Sequence, residues 1–230
     1  MKKKIFEFFT KNEFLNEDIT PVRTVIPEWY KKTKKVLFEP PNAEIVKGLK
    51  SCTPFLDAMT TGYVLKTSQD IRVTFNVNGD GIYYFQWNEA NSGIEIKVRD
   101  GVNPIPTPLG YIDSHFIWDV PFCIRVPKGY SVLITHPLNR TDLPFISLSG
   151  IVDADEGLTG GSYPFFLKKG FEGIIPVGTP ILQYIPFKRD DWKSKWEPSL
   201  ELVAKKHRWN SRKFITGWYK NNIWKKKNYE

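Results

Sequence analysis

Cysteine is close to absent from this chain of 230 residues, and the little there is forms no pattern. Cys52 and Cys123 stand in apolar surroundings without Cys-x-x-Cys spacing, which argues against a disulfide framework or a thiolate metal site and reads them as small buried hydrophobes. Histidine is nearly as scarce: with only His115, His136 and His207, a zinc centre would need carboxylates that no spacing singles out, and no metal site is expected. No apolar run reaches membrane-spanning length, and Glu7, Lys11 and Glu13 break the stretch after Lys2, Lys3 and Lys4 that imitates a signal sequence, so neither membrane insertion nor secretion is expected. A Gly-x-Ser-x-Gly elbow, a Cys-His set, a glycine-rich phosphate loop and a dinucleotide fingerprint are all missing, which leaves the commonest nucleophilic and cofactor chemistries without a carrier.

What the chain does have is strands and rings. Aromatic residues make up 15% of it, enough to populate either a core or an interface. Ile71, Val73, Phe75 and Val77 alternate with Arg72, Thr74 and Asn76, the period-two signature of a half-buried strand, and Asn78-Gly79-Asp80-Gly81 follows as a hairpin turn into 82–87. Residues 93–99 alternate in the same way, Pro104, Pro106 and Pro108 stiffen the loop beyond them, and 115–118 return to strand. Two β-branched stretches, 124–134 and 173–185, are each broken by proline and glycine and read as pairs of short strands. Helix is expected after Pro27, where a first-turn proline loses no hydrogen bond, and in one turn opened by Pro54 and ended by Gly62.

Charge divides the chain unevenly. Residues 188–230 hold 13 Lys or Arg against 5 Asp or Glu, whereas residues 1–187 hold 20 of each. The basic part also holds five of the eight tryptophans, and its apolar residues recur at helical spacing. Lys205, Lys206, Arg208 and Trp209, with Trp218 and Trp224 further on, set cations among indoles. That pattern suits phosphate contact with base stacking, and equally suits a helix packed on the protein itself or on a second copy.

Two polar clusters are the candidates for chemistry. His136, Asn139 and Arg140 share a loop after a strand, with Asp142 in reach of Arg140 for an ion pair. Asp153 and Asp155 flank Ala154, so an extended segment puts them on one face with Glu156 close by; such carboxylates raise one another's pKa or recruit Mg²⁺, while Gly157, Gly160 and Gly161 favour a plain turn.

These segments carry a resemblance. The runs 126–134 (Val-Pro-Lys-Gly-Tyr-Ser-Val-Leu-Ile), 149–155 (Ser-Gly-Ile-Val-Asp-Ala-Asp) and 178–183 (Gly-Thr-Pro-Ile-Leu-Gln) are similar to motifs of the trimeric dUTPase and dCTP deaminase superfamily, whose fold is a distorted β-barrel, the β-clip. The resemblance covers 125–187 and implies a water-orienting role for Asp153 and a phosphate-side role for Gln183. It departs where Leu138 and Asn139 replace the Arg-Ser of the second motif, where Glu156 or Gly157 replaces the ring that stacks on deoxyribose, and where Gly110 to Asp113 is only a degraded first motif. Over the whole chain, the runs 26–32, 50–57, 135–140 and 186–192 also resemble an uncharacterised family of tailed phages, especially those of marine bacteria, which implies a viral origin.

The expectation is a mainly β protein: an N-terminal arm over 1–44, a β-clip-like distorted barrel over 45–192 and a basic, aromatic, helical extension over 193–230. It is read as a non-enzymatic structural or interaction protein that associates with itself or with other phage proteins, in the host cytoplasm or the virion, without a cofactor. The interface residues are Lys205, Lys206, Arg208, Trp209, Trp218 and Trp224. The competing readings are a nucleotide binder or hydrolase using Asp153 and Asp155 with Mg²⁺ beside the ligand-binding set His136, Asn139, Arg140 and Gln183, and nucleic-acid binding through the tail.

Overall fold

The computed structural model describes residues 4–10, 17–39, 44–76, 82–87, 93–99, 105–196, 201, 204–205 and 218–230. The protein is mainly β and divides into two units: Met1–Val25 with Gly62–Arg189 and Glu230, and Ile26–Thr61 with Asp190–Tyr229. No described helix is long and apolar enough to cross a membrane.

The first unit holds three sheets, none closed among the described residues. In one, the long strand β9 (Tyr111–Arg125) lies between β13 (Thr159–Lys168) and two short strands on its other side, β1 (Glu7–Thr10) and β8 (Glu95–Arg99), while β11 (Phe145–Ser147) lines the far edge of β13. The second runs β12 (Gly150–Val152), β10 (Tyr130–Thr135), β15 (Pro180–Lys188), β5 (Tyr63–Lys66) and β2 (Ile19–Pro21). The third is β14 (Gly173–Ile175), β6 (Ile71–Phe75) and β7 (Tyr83–Gln86). The alternation read in 71–77 holds, since Ile71 and Val73 are buried and Arg72 is exposed, and the N–H of Asn76 donates to Ile82 O at 3.1 Å to close the hairpin. The turn residues 78–81 lie outside the described residues.

Proline and glycine mark places where the chain changes sheets. The stretch 124–134 does break at Pro127 and Gly129, yet β9 and β10 do not pair with each other: the Tyr130 N–H returns to Pro127 O, Gly129 takes a φ of 81°, and β10 enters the second sheet. At Pro176 and Gly178 the chain likewise leaves β14 in the third sheet and enters β15 in the second. A positive φ turns the strand direction at no steric cost for glycine, which is why both crossings carry one. Pro121, inside β9, falls where the register against β13 skips between Gly160 and Gly161, so its missing N–H breaks no ladder bond there.

Rings fill the core between the strands. Trp118 stacks on Phe165 with centroids 3.9 Å apart and lies edge-on to Phe145; its indole N–H donates to Ser147 Oγ, which donates to Ile181 O. Each such buried ring contributes about 1.5–3 kcal/mol through burial alone. Phe6 and Phe8, around β1, pack on Tyr63, Phe122 and Tyr184, so these arm aromatics are used inside the first unit. Gly62 adopts a φ of 82°, and a Cβ there would stand 2.1 Å from Tyr184 O, a contact no side chain could relieve.

The second unit contains α1 (Glu28–Lys32), which starts after Pro27 as expected, the antiparallel pair β3 (Val36–Glu39) and β4 (Glu44–Lys47), and α2 (Thr53–Ala58), opened by Pro54 and already ended before Gly62. Of the tail, Trp218–Asn222 forms a short helix, residues 201, 204 and 205 are helical, and 192–196 and 224–230 have no regular structure. The cysteines depart from the sequence reading: both are free, Cys52 is exposed where it flanks the first turn of α2, and Cys123 is half-buried.

Candidate functional site

The polar residues singled out in the sequence gather at the two ends of one strand pair, β10 with β15. Register places Ser131 opposite Phe187 at one end and Thr135 opposite Gln183 at the other. Four residues at about 3.3 Å each separate the two ends by roughly 13 Å.

At the Thr135 end the loop 136–142 folds over Gln183. Asn139 sits at a φ of 63°, a left-handed conformation that asparagine tolerates better than most residues, and the Arg140 N–H closes the turn on Pro137 O at 3.1 Å. Gln183 is fully buried, and its Oε1 accepts the Leu138 N–H at 2.8 Å. The Ser147 N–H donates to His136 Nδ1 at 3.3 Å, so Nδ1 is an acceptor and the proton sits on Nε2, which donates to Arg140 O at 3.0 Å. Burial pushes the imidazole below its ordinary pKa, outweighing the opposite pull of the Arg140 carbonyl. Arg140 holds Asp142 through two bonds of 2.9 Å and reaches Val25 O at 3.4 Å. The four residues expected to bind a ligand are thus brought together, with His136, Arg140 and Gln183 engaged in the fold's own hydrogen bonds.

The Ser131 end is organised by Arg189, which the sequence reading passed over. Ala154 is buried, and its carbonyl accepts the Val126 N–H, which fixes the segment after β12 and turns Asp153 and Asp155 to one side, as their spacing suggested. Asp155 accepts the Gly129 N–H at 2.8 Å and both terminal nitrogens of Arg189, and its side chain is 1% exposed. The Arg189 guanidinium, seconded by the Gly129 N–H, holds this carboxyl down at about 2. Asp153, with its side chain 68% exposed, accepts Ser131 Oγ at 2.5 Å and pairs with Arg189 at 3.2 Å. Arg189 also donates to Tyr130 O, and its own N–H to Gly129 O, so it closes this end of the strand pair.

The Mg²⁺ expected under the nucleotide-hydrolase reading does not fit these carboxylates. A guanidinium bridges Asp153 and Asp155 where a cation would need their free oxygens, and among the described residues no three His, Cys, Asp or Glu side chains converge as a metal site. Nor are Asp153 and Gln183 neighbours, since the register keeps them at opposite ends of β10.

The tail residues are placed only in part. Lys205 pairs with Glu201 at 2.9 Å, and the Trp224 indole donates to Asp57 Oδ2 at 2.7 Å, an oxygen that Lys227 also engages. Trp218 opens the short helix, its side chain lying outside what is described, as do Lys206, Arg208 and Trp209. The most exposed rings among the described residues are Trp192 at 89% and Trp196 at 88%. Arg189 escaped notice because it stands 34 residues from Asp155, and no spacing rule connects a carboxylate in one turn with an arginine after a strand that folds back. Compared with known families and with curated proteins, the sequence matches no family model and no curated protein.

Proposed function

We propose that this protein is a non-enzymatic structural or interaction protein of a tailed phage, built on a β-clip-like scaffold with a basic helical C-terminal extension, and that it associates with copies of itself. The observation that carries this reading is an apolar row on the outward face of the second sheet. Ile151 on the edge strand β12 lies opposite Leu133 of β10, which lies opposite Ile185 of β15, and Phe187 follows two residues along on the same face. Ile151 is 65% exposed, and Phe187 is exposed as well. An edge strand with an apolar row invites pairing with a like strand, and a two-fold axis would satisfy both copies at once.

The polar groups support the same reading through what they already do, because Asp155, His136 and Gln183 spend their hydrogen-bonding capacity on the fold. The nucleotide reading needs Asp153 and Gln183 around one substrate and therefore ranks second. Light scattering on the full chain and on the Ile151→Glu, Phe187→Glu double variant tests the proposal: the wild type should have a multiple of the 26.7 kDa chain mass and the variant less. A 26.7 kDa wild type, or an unchanged variant, would overturn it.

A further inference from the structure

The third sheet carries a groove that neither polar cluster uses. Arg72 stands opposite Gln86 on one side and Ile174 on the other, and all three are exposed, forming one outward row across β14, β6 and β7. Together with Asp70, just before β6, and Trp87, just after β7, they line an open groove of about 430 Å³. The Asp70 carboxylate is held in position by the Val177 N–H, which donates to Oδ1 at 2.8 Å. Among the described residues Arg72 forms no ion pair, and Trp87 carries a buried indole N–H without a partner.

We propose that this groove binds a saccharide. The lining combines a carboxylate that accepts, a guanidinium and a carboxamide that donate, and an indole flanked by an aliphatic side chain. Hydroxyl groups both donate and accept, and the C–H face of a pyranose packs on an aromatic ring, so a sugar meets every group in this set. The charges of Asp70 and Arg72 cancel, which suits a neutral ligand better than a phosphate or a nucleotide. Its volume exceeds what an ion or a single amino acid would fill, and its openness suits a chain that passes through.

The test uses the full chain with ¹⁵N-labelled indoles, the Trp87 resonance being assigned by its loss in Trp87→Phe. Maltohexaose, chitohexaose and xylohexaose are each titrated to about 10 mM, with inorganic phosphate as the anionic probe. One hexasaccharide should shift the Trp87 indole resonance saturably, and Arg72→Ala or Asp70→Asn should weaken that binding at least about tenfold. Both variants should melt with the wild type, because Arg72 lies on the exposed face and the carboxamide introduced by Asp70→Asn would still accept the Val177 N–H. No shift with any of the three sugars, a shift indifferent to both substitutions, or a response to phosphate alone would overturn the proposal.

Discussion

The two ends of the β10–β15 pair carry similar polar inventories and hold them by different means. At the Thr135 end, a glutamine and an imidazole are buried and tied to backbone N–H and C=O groups. At the Ser131 end, two carboxylates are tied to one arginine near the surface. The difference teaches where each end is vulnerable. A buried neutral group costs most when its partner is lost, because the orphaned donor has no water to turn to. An ion pair close to solvent answers instead to pH and salt.

The largest effect should come from the buried end. Gln183→Ala strands the Leu138 N–H and opens a void, and should lower unfolding free energy by about 2–4 kcal/mol in urea titrations. His136→Phe keeps the ring's shape but loses both hydrogen bonds, and should cost about 1–3 kcal/mol. It should also change the pH profile. The folded-state pKa of His136 lies below 6.5, so the unfolded chain takes up the proton more readily; this contribution is present above pH 6.5 and lost as the pH falls through the folded value. The variant should therefore show a flatter stability curve just below neutrality, and an unchanged slope would mean that the imidazole is not the titrating group.

At the ion-paired end the effects should be smaller and shaped otherwise. Asp155→Asn should lower the melting temperature by less than Gln183→Ala does. The Asp155 carboxyl is held at about 2 against an ordinary 3.8, so its contribution is complete above pH 3.8 and vanishes as the pH falls through about 2. Melting curves of wild type and variant should then run parallel above that range and converge at its lower end, and added salt should narrow the gap between them. Asp153→Asn is the mildest change: with its side chain 68% exposed, it should alter stability by no more than about 0.5 kcal/mol.

Much of this architecture was legible in the residues and much was not. The alternation around Ile71 and Val73, the proline-led starts of α1 and α2, and the common side of Asp153 and Asp155 are local properties, fixed by side-chain period and backbone preference. The sheet changes at Pro127 and Pro176 were not legible, because a broken strand looks the same whether the chain doubles back or departs for another sheet. Gly62 announced itself as a helix stop and serves as a point of contact with Tyr184 O, a fact that depends on a residue 122 positions away. His136 was legible as a group of interest, but its ring is spent on Ser147 and Arg140, and only tertiary placement could reveal that.

The central claim is that both polar clusters serve the fold and not a substrate. It is tested most directly by melting the purified full chain with dUTP, dCTP and other nucleotides in the presence of Mg²⁺, and by assaying pyrophosphate release in parallel. The expected result is an unmoved melting temperature and no release. A stabilisation of roughly 5–10 °C by one nucleotide at about 100 times its dissociation constant, abolished in Asp153→Asn, would contradict the claim and make the Ser131 end a substrate site.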